Sequence, residues 1–167
     1  MKNASIIALW LLVISGGILS GGAIYEAVVT LPLWFGSLPD SVTSWTRGSI
    51  QAPFFMVATQ AWVLLSVAVF ALSFAMPRPV RPWARIPGVI GAVIFVWTMV
   101  FFIPVLMKTQ GNGGAGLSGE AITRYGLQWT HWNYLRVALL LGAWVVSIRA
   151  LVIGSRPDAP SRVPGQL

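Results

Sequence analysis

Four polar side chains of this sequence stand where their types are costly. Glu26 and Arg136 lie inside long apolar runs, and Gln60 and Asn133 lie inside the ends of two such runs. A charge at the centre of a hydrocarbon span costs about 2.5–3.5 kcal/mol on insertion scales, so such residues pair with one another, face a bundle interior and mark functional sites. At about 1.5 Å per residue, Glu26 lies roughly 12 Å before Trp34, Arg136 roughly 10 Å after Trp129 and Gln60 roughly 10 Å after Pro53. Three helices therefore deliver polar groups to one depth. At about 100° per residue, Asn133 and Arg136 point within about 60° of each other, while His131 is turned roughly 140° from Arg136. Ser15, Gly22, Glu26 and Thr30 form one small or polar stripe on the first run, with Tyr25 turned aside.

Two kinds of chemistry suit this set. A carboxylate held in a water-poor pocket can act as a general base, and a guanidinium with an amide can stabilise the oxyanion that results. On that reading Glu26, Asn133 and Arg136 are the candidate catalytic residues, and Tyr25, Gln60, Trp129 and His131 are candidate substrate-binding residues. The competing reading is a buried Glu26–Arg136 ion pair that neutralises two charges and sets helix register.

Composition narrows the field. There is no cysteine, which removes disulfides, thiolate metal sites, iron–sulfur clusters and cysteine nucleophiles. His131 is the single histidine, and the only carboxylates are Glu26, Asp40, Glu120 and Asp158. Neither a metal site nor a cofactor is expected. The 167 residues are 56% hydrophobic and 9% charged, far below the roughly 25% charge of a soluble domain. The formal net charge of +7 reflects a shortage of acids, 4 against 11 basic residues, and does not indicate a nucleic-acid partner.

The elements that position these residues are four apolar spans, at about 5–35, 53–76, 86–107 and 129–153. Each is long enough to cross a bilayer as a helix, and backbone groups in lipid must be satisfied within the segment. The fold class expected is all-α, an integral membrane four-helix transmembrane bundle in one domain, 1–153. Lys2 followed by IIALWLLVI resembles a signal peptide, but the apolar run continues past any cleavage point. Arg78, Arg81 and Arg85 follow the second span, and Arg149, Arg156 and Arg162 accompany the end of the fourth. The positive-inside rule then predicts a multi-pass cell-membrane protein with both termini cytoplasmic. Residues 154–167 read as a disordered cytoplasmic tail, and the outward loops are Gly36–Ala52 and the glycine-rich stretch around Gln110–Gly119. Gly17 and Gly21, with Gly88 and Gly91, offer small helix faces that suit either intrachain packing or a homo-oligomer.

The segments GGAIYEAVVTLP in the first span, FFIPVLMK ending the third and Trp129-Thr-His-Trp-Asn133-Tyr-Leu-Arg136 opening the fourth resemble the anthrone oxygenase-like family of small four-helix membrane proteins. The resemblance covers roughly Ser15 to Ile153, with Tyr25, Glu26, Pro32, Pro104, Trp129, Asn133 and Arg136 at family-like positions. Val105 and Leu106 stand where family members often carry asparagine. The resemblance implies oxidation of an aromatic small molecule by molecular oxygen without a cofactor. The partners expected are a hydrophobic or aromatic small molecule and the lipid bilayer. The alternative is a non-catalytic binding or accessory subunit holding a lipid or a partner helix.

Overall fold

The computed structural model describes residues 3–37, 41, 52–110 and 116–156. The expected tail beyond Arg156 and most of the two loops expected to face outward lie outside the described residues. Among the described residues every regular element is helical and there is no strand. Four helices are long and apolar enough to cross a membrane. They are α1 (Asn3–Phe35), α2 (Ala52–Ser73), α3 (Arg81–Gln110) and α4 (Gly119–Gly154).

The bundle closes as a ring in chain order. α1 packs on α2 and α4, α3 packs on α2 and α4, and α1 and α3 stand on opposite sides. The short 74–80 connection between α2 and α3 is of the kind that makes successive helices antiparallel neighbours. Leu9, Leu12, Leu19, Trp62, Val69, Ile94 and Ala143 are fully or almost fully buried along its axis. The outward faces of all four helices are apolar, with Ile14, Val57, Val100 and Val145 well exposed. So extensive an apolar exterior suits a non-aqueous surrounding.

The two ends of the bundle differ. At the end carrying the 74–80 turn, Arg81 donates to the carbonyls of Phe74 and Met76, each at 3.2 Å, capping the end of α2. Arg85 lies over the Phe74 ring and Arg149 over Trp83, at 4.4 and 4.3 Å. We call this the arginine end, and the opposite end, carrying Trp34 and Trp129, the site end.

Two helix starts differ from the expected spans. α3 begins at Arg81 rather than near Ile86, because Pro82 fits the first helical turn, where its missing N–H is not needed. α4 begins at Gly119, ten residues before Trp129, because Ser118 caps it: the Ser118 hydroxyl accepts from the Ala121 N–H at 3.2 Å, and Glu120 lies in the first turn. Hydropathy reports only the part of a helix that is apolar. The polar first turns of α3 and α4 fall outside that part.

Both α1 and α3 contain one turn of π-helix, at Glu26–Thr30 and at Thr98–Phe102. The Leu31 N–H bonds back five residues to the Glu26 carbonyl, and the Ile103 N–H likewise to the Thr98 carbonyl. A proline follows one residue later in each case, Pro32 and Pro104. A proline lacks the N–H for the ordinary bond and its ring collides with the carbonyl four residues back. A wider turn just before it relieves both, and π turns of this kind occur often at functional sites.

The glycines of α1 are used mostly inside the chain. Side chains added at Gly16 or Gly17 would press on Trp144 and, for Gly16, Trp62. Trp144 donates its indole N–H to the Val13 carbonyl at 3.0 Å. Gly88 and Gly91 meet Phe70 and Ser66 of α2. Gly21 alone of this group has open space around it.

Candidate functional site

Glu26 opens the π turn of α1 and points into the bundle, only 4% exposed. Asn133 and Arg136 lie one turn apart on α4, and Asn133 is fully buried. Their side chains meet. The Asn133 amide and the Arg136 guanidinium both donate to Glu26 Oε2, at 3.4 and 3.3 Å. Arg136 also donates to Asn133 Oδ1, so the three side chains form a closed triangle. Neither bond to the carboxylate engages Oε1. The two charges neutralise each other, which is what a buried carboxylate and guanidinium require.

The other face of Arg136 is covered by α3. Its guanidinium carbon lies 4.4 Å from the centre of the Phe102 ring, and its Nε, buried, has no hydrogen-bond partner. A ring face attracts a guanidinium through its quadrupole and asks for no directed bond. Phe102 stands edge-on to Trp129 of α4, ring centres 4.8 Å apart and nearly perpendicular. Trp97 and Phe101 pack in the same edge-on manner against Trp132.

This cluster borders a cavity of about 310 Å³. Glu26, Arg136, Thr59, Gln60 and Thr98 supply its polar edge, and rings of Trp34, Phe55, Phe95, Phe102 and Trp129 supply much of the rest. An apolar pocket with a few convergent polar groups, near the small end of the about 300–1,000 Å³ range, is the usual form of a small-molecule site.

Neither a protein-family model, nor a curated protein, nor a solved structure matches this chain.

The structure brings together Glu26, Asn133, Arg136 and Trp129, and sets Gln60 on the cavity wall. It does not bring Tyr25 or His131 to the cavity. Tyr25 is 56% exposed on the outer face of α1, because it directly precedes the inward-facing Glu26 and is turned about 100° from it. His131 is exposed and packs edge-on against Trp132, on the side of α4 away from Arg136. The expected small-residue stripe is also shifted: Ser15 and Gly22 are half-buried, and the inward line runs through Gly16, Leu19, Ala23 and Glu26.

Phe102, Thr98 and Thr59 belong to the site and were not singled out by type. Phe102 carried one legible signal, its place two residues before Pro104, matching Thr30 two residues before Pro32. Thr98, which donates to the Ile94 carbonyl at 2.7 Å, carried none.

Proposed function

We propose that this chain is a multi-pass cell-membrane protein, both termini cytoplasmic, whose cavity binds a planar aromatic molecule and oxidises it with molecular oxygen, as the resemblance to anthrone oxygenases implies. One observation carries the reading: the closed Glu26–Asn133–Arg136 triangle borders an apolar, ring-lined cavity. An ion pair needed only for register would not require a ligand-sized space beside it. The apolar exterior and the arginine-rich end support the membrane location and its orientation.

The chemistry suits an anthrone, whose ring CH₂ is activated by a carbonyl across the ring. Glu26, through Oε1, takes one proton from that carbon, and the electron pair moves onto the carbonyl oxygen. Arg136 and Gln60 stabilise the oxyanion so formed. The electron-rich carbon reduces oxygen and a C–O bond forms, giving a peroxide that recovers the proton from Glu26. Glu26 then removes the second ring proton, the O–O bond breaks, and the departing hydroxide takes that proton and leaves as water. The balance is one CH₂ and one O₂ in, one C=O and one water out. Asn133 holds Glu26 Oε2 throughout and so aims the other oxygen.

The test uses purified protein in lipid nanodiscs with 1,8-dihydroxyanthrone, following oxygen uptake and quinone absorbance above the autoxidation background. Glu26→Gln should lower turnover about 10²–10⁴-fold, the usual worth of a general base, with the helical spectrum unchanged. Loss of activity that tracked loss of folded protein in every variant would instead favour the ion pair as a structural element in a non-catalytic binding or accessory subunit.

A further inference from the structure

The four seams of the bundle are not closed alike at the site end. Between α1 and α2, the Phe54 ring lies so close over Gly22 that a side chain there would collide with it. Between α1 and α4, Phe35 covers Gly126 in the same way. Between α3 and α4, the rings of Trp97, Phe101 and Phe102 interlock with Trp129 and Trp132. Among the described residues, the close approaches across the α2–α3 seam lie toward the arginine end, where Gly88 admits Phe70 and Gly91 admits Ser66. From the π turn outward, α3 makes no comparable approach to α2.

Exposure along the cavity wall follows the same division. Of the wall residues contributed by α1 and α4, Leu19, Ala23, Glu26, Trp129 and Leu140 are buried, and Trp34 and Arg136 are half-buried. The exposed ones all come from α2 and α3: Met56, Gln60, Phe95, Met99 and Ile103. The cavity thus has its floor on α1 and α4, and its mouth between α2 and α3, on the apolar flank of the bundle. Gln60 sits at that mouth, exposed on a flank otherwise apolar. An amide facing hydrocarbon without a partner is unfavourable by about 4–8 kcal/mol on water-to-hydrocarbon transfer scales, and a ligand that bonds to it lowers that cost.

We infer that the cavity is loaded sideways from the lipid phase through the α2–α3 gap framed by Met56, Gln60, Phe95 and Met99, and that its occupant is a neutral, planar aromatic whose polar edge is held by Gln60. This rests on the reading of the cavity as a small-molecule site, though not on its being catalytic. Neutrality follows from the floor: Glu26 and Arg136 already balance, and a charged ligand would leave one charge unpaired in an apolar setting. Planarity follows from the rings of the wall. Two methionines at the mouth add flexible, polarisable side chains that pack well on aromatic edges.

The chain has no cysteine, so a single reporter can be placed without background. Met99→Cys carrying a nitroxide would be studied in phospholipid nanodiscs, with Val89→Cys, exposed on α3 but away from the cavity, as reference. The Met99 label should collide freely with oxygen and be shielded from a water-soluble nickel chelate. Saturating 1,8-dihydroxyanthraquinone should lower its oxygen accessibility and mobility and leave the Val89 label unchanged. Anthraquinone-2-sulfonate, confined to water, should not compete for the site. Gln60→Leu should weaken dye binding, read by tryptophan quenching, roughly tenfold, as expected for one lost hydrogen bond, while thermal stability holds or rises.

Nickel access to the Met99 label would overturn the lateral route. So would dye binding that leaves this label untouched, or competition by the sulfonate. Failure of the dye to bind the unmodified protein at all would overturn the ligand class. Absence of anthrone turnover beside a positive spin-label result would refute catalysis and leave the portal standing.

Discussion

The π turns of α1 and α3 are one backbone device put to two uses. Each spans five residues, each ends two residues before a proline, and they stand on opposite helices of the ring. The α1 turn presents a carboxylate, Glu26, and the α3 turn presents a ring, Phe102. Both meet the same partner, Arg136, the first by an ion pair at 3.3 Å and the second by a cation–π contact at 4.4 Å. The carboxylate cancels charge and demands direction, whereas the ring supplies a polarisable face and demands only proximity. A single guanidinium is thereby contacted on both sides without a second acid, and one face of the site stays apolar enough for an aromatic ligand.

The strongest way to break the comparison is to remove the extra residue from each turn. A π turn holds one residue more than an α turn, so deleting Val28, exposed on α1, preserves the helical phase of both flanks. We expect the variant to fold and insert, with Glu26 drawn off Arg136 and dye binding and turnover both abolished. Deleting Val100 from the α3 turn should weaken dye binding yet leave the Glu26–Arg136 bridge intact. Circular dichroism and the dye titration check both, and equal loss in the two deletions would erase the distinction.

A smaller effect is expected from the ion pair itself. Arg136→Met alone leaves an uncompensated buried carboxylate and should lower stability by about 3–5 kcal/mol. Adding Glu26→Gln should recover much of that loss, since a pair of neutral side chains in an apolar interior is often no worse than the ion pair it replaces. Denaturant or thermal unfolding in detergent measures the cycle. Strict additivity of the two changes would mean that the pair is not coupled.

The smallest expected effect is on the α3 side. Phe102→Leu keeps the apolar volume approximately and removes the ring face, so it should cost about 0.5–2 kcal/mol. It should also weaken binding of the planar dye, because the ring lines the cavity. A loss as large as that of Arg136→Met would show that the ring, rather than the carboxylate, is the main support of the guanidinium.

Much of this architecture is legible in the amino-acid sequence. Four apolar runs imply four helices, because a backbone without water must bond within its own segment. The common depth of Glu26 and Arg136 implied their meeting, because isolated buried charges are too costly to leave unpaired. The phase of α4 was readable because the helix is regular from Gly119 onward, and it turned His131 away from Arg136. α1 was harder: Glu26 and Thr30 are buried as the stripe required, but Ser15 and Gly22 are only half-buried, because a helix apolar on nearly every face offers little contrast from which to read its phase.

Amino-acid type and spacing by themselves determined the helical class, the apolar exterior and the identity of the buried charges. These depend on transfer free energies, which belong to each residue wherever it stands. Only the tertiary structure decided that Phe102 lies over Arg136, that Tyr25 faces outward, and that the exposed residues of the cavity wall come from α2 and α3. Those outcomes depend on the rotation of each helix about its axis and on which ring meets which glycine. Rotation is settled by packing summed over many weak contacts between helices, and no single helix's sequence contains that sum.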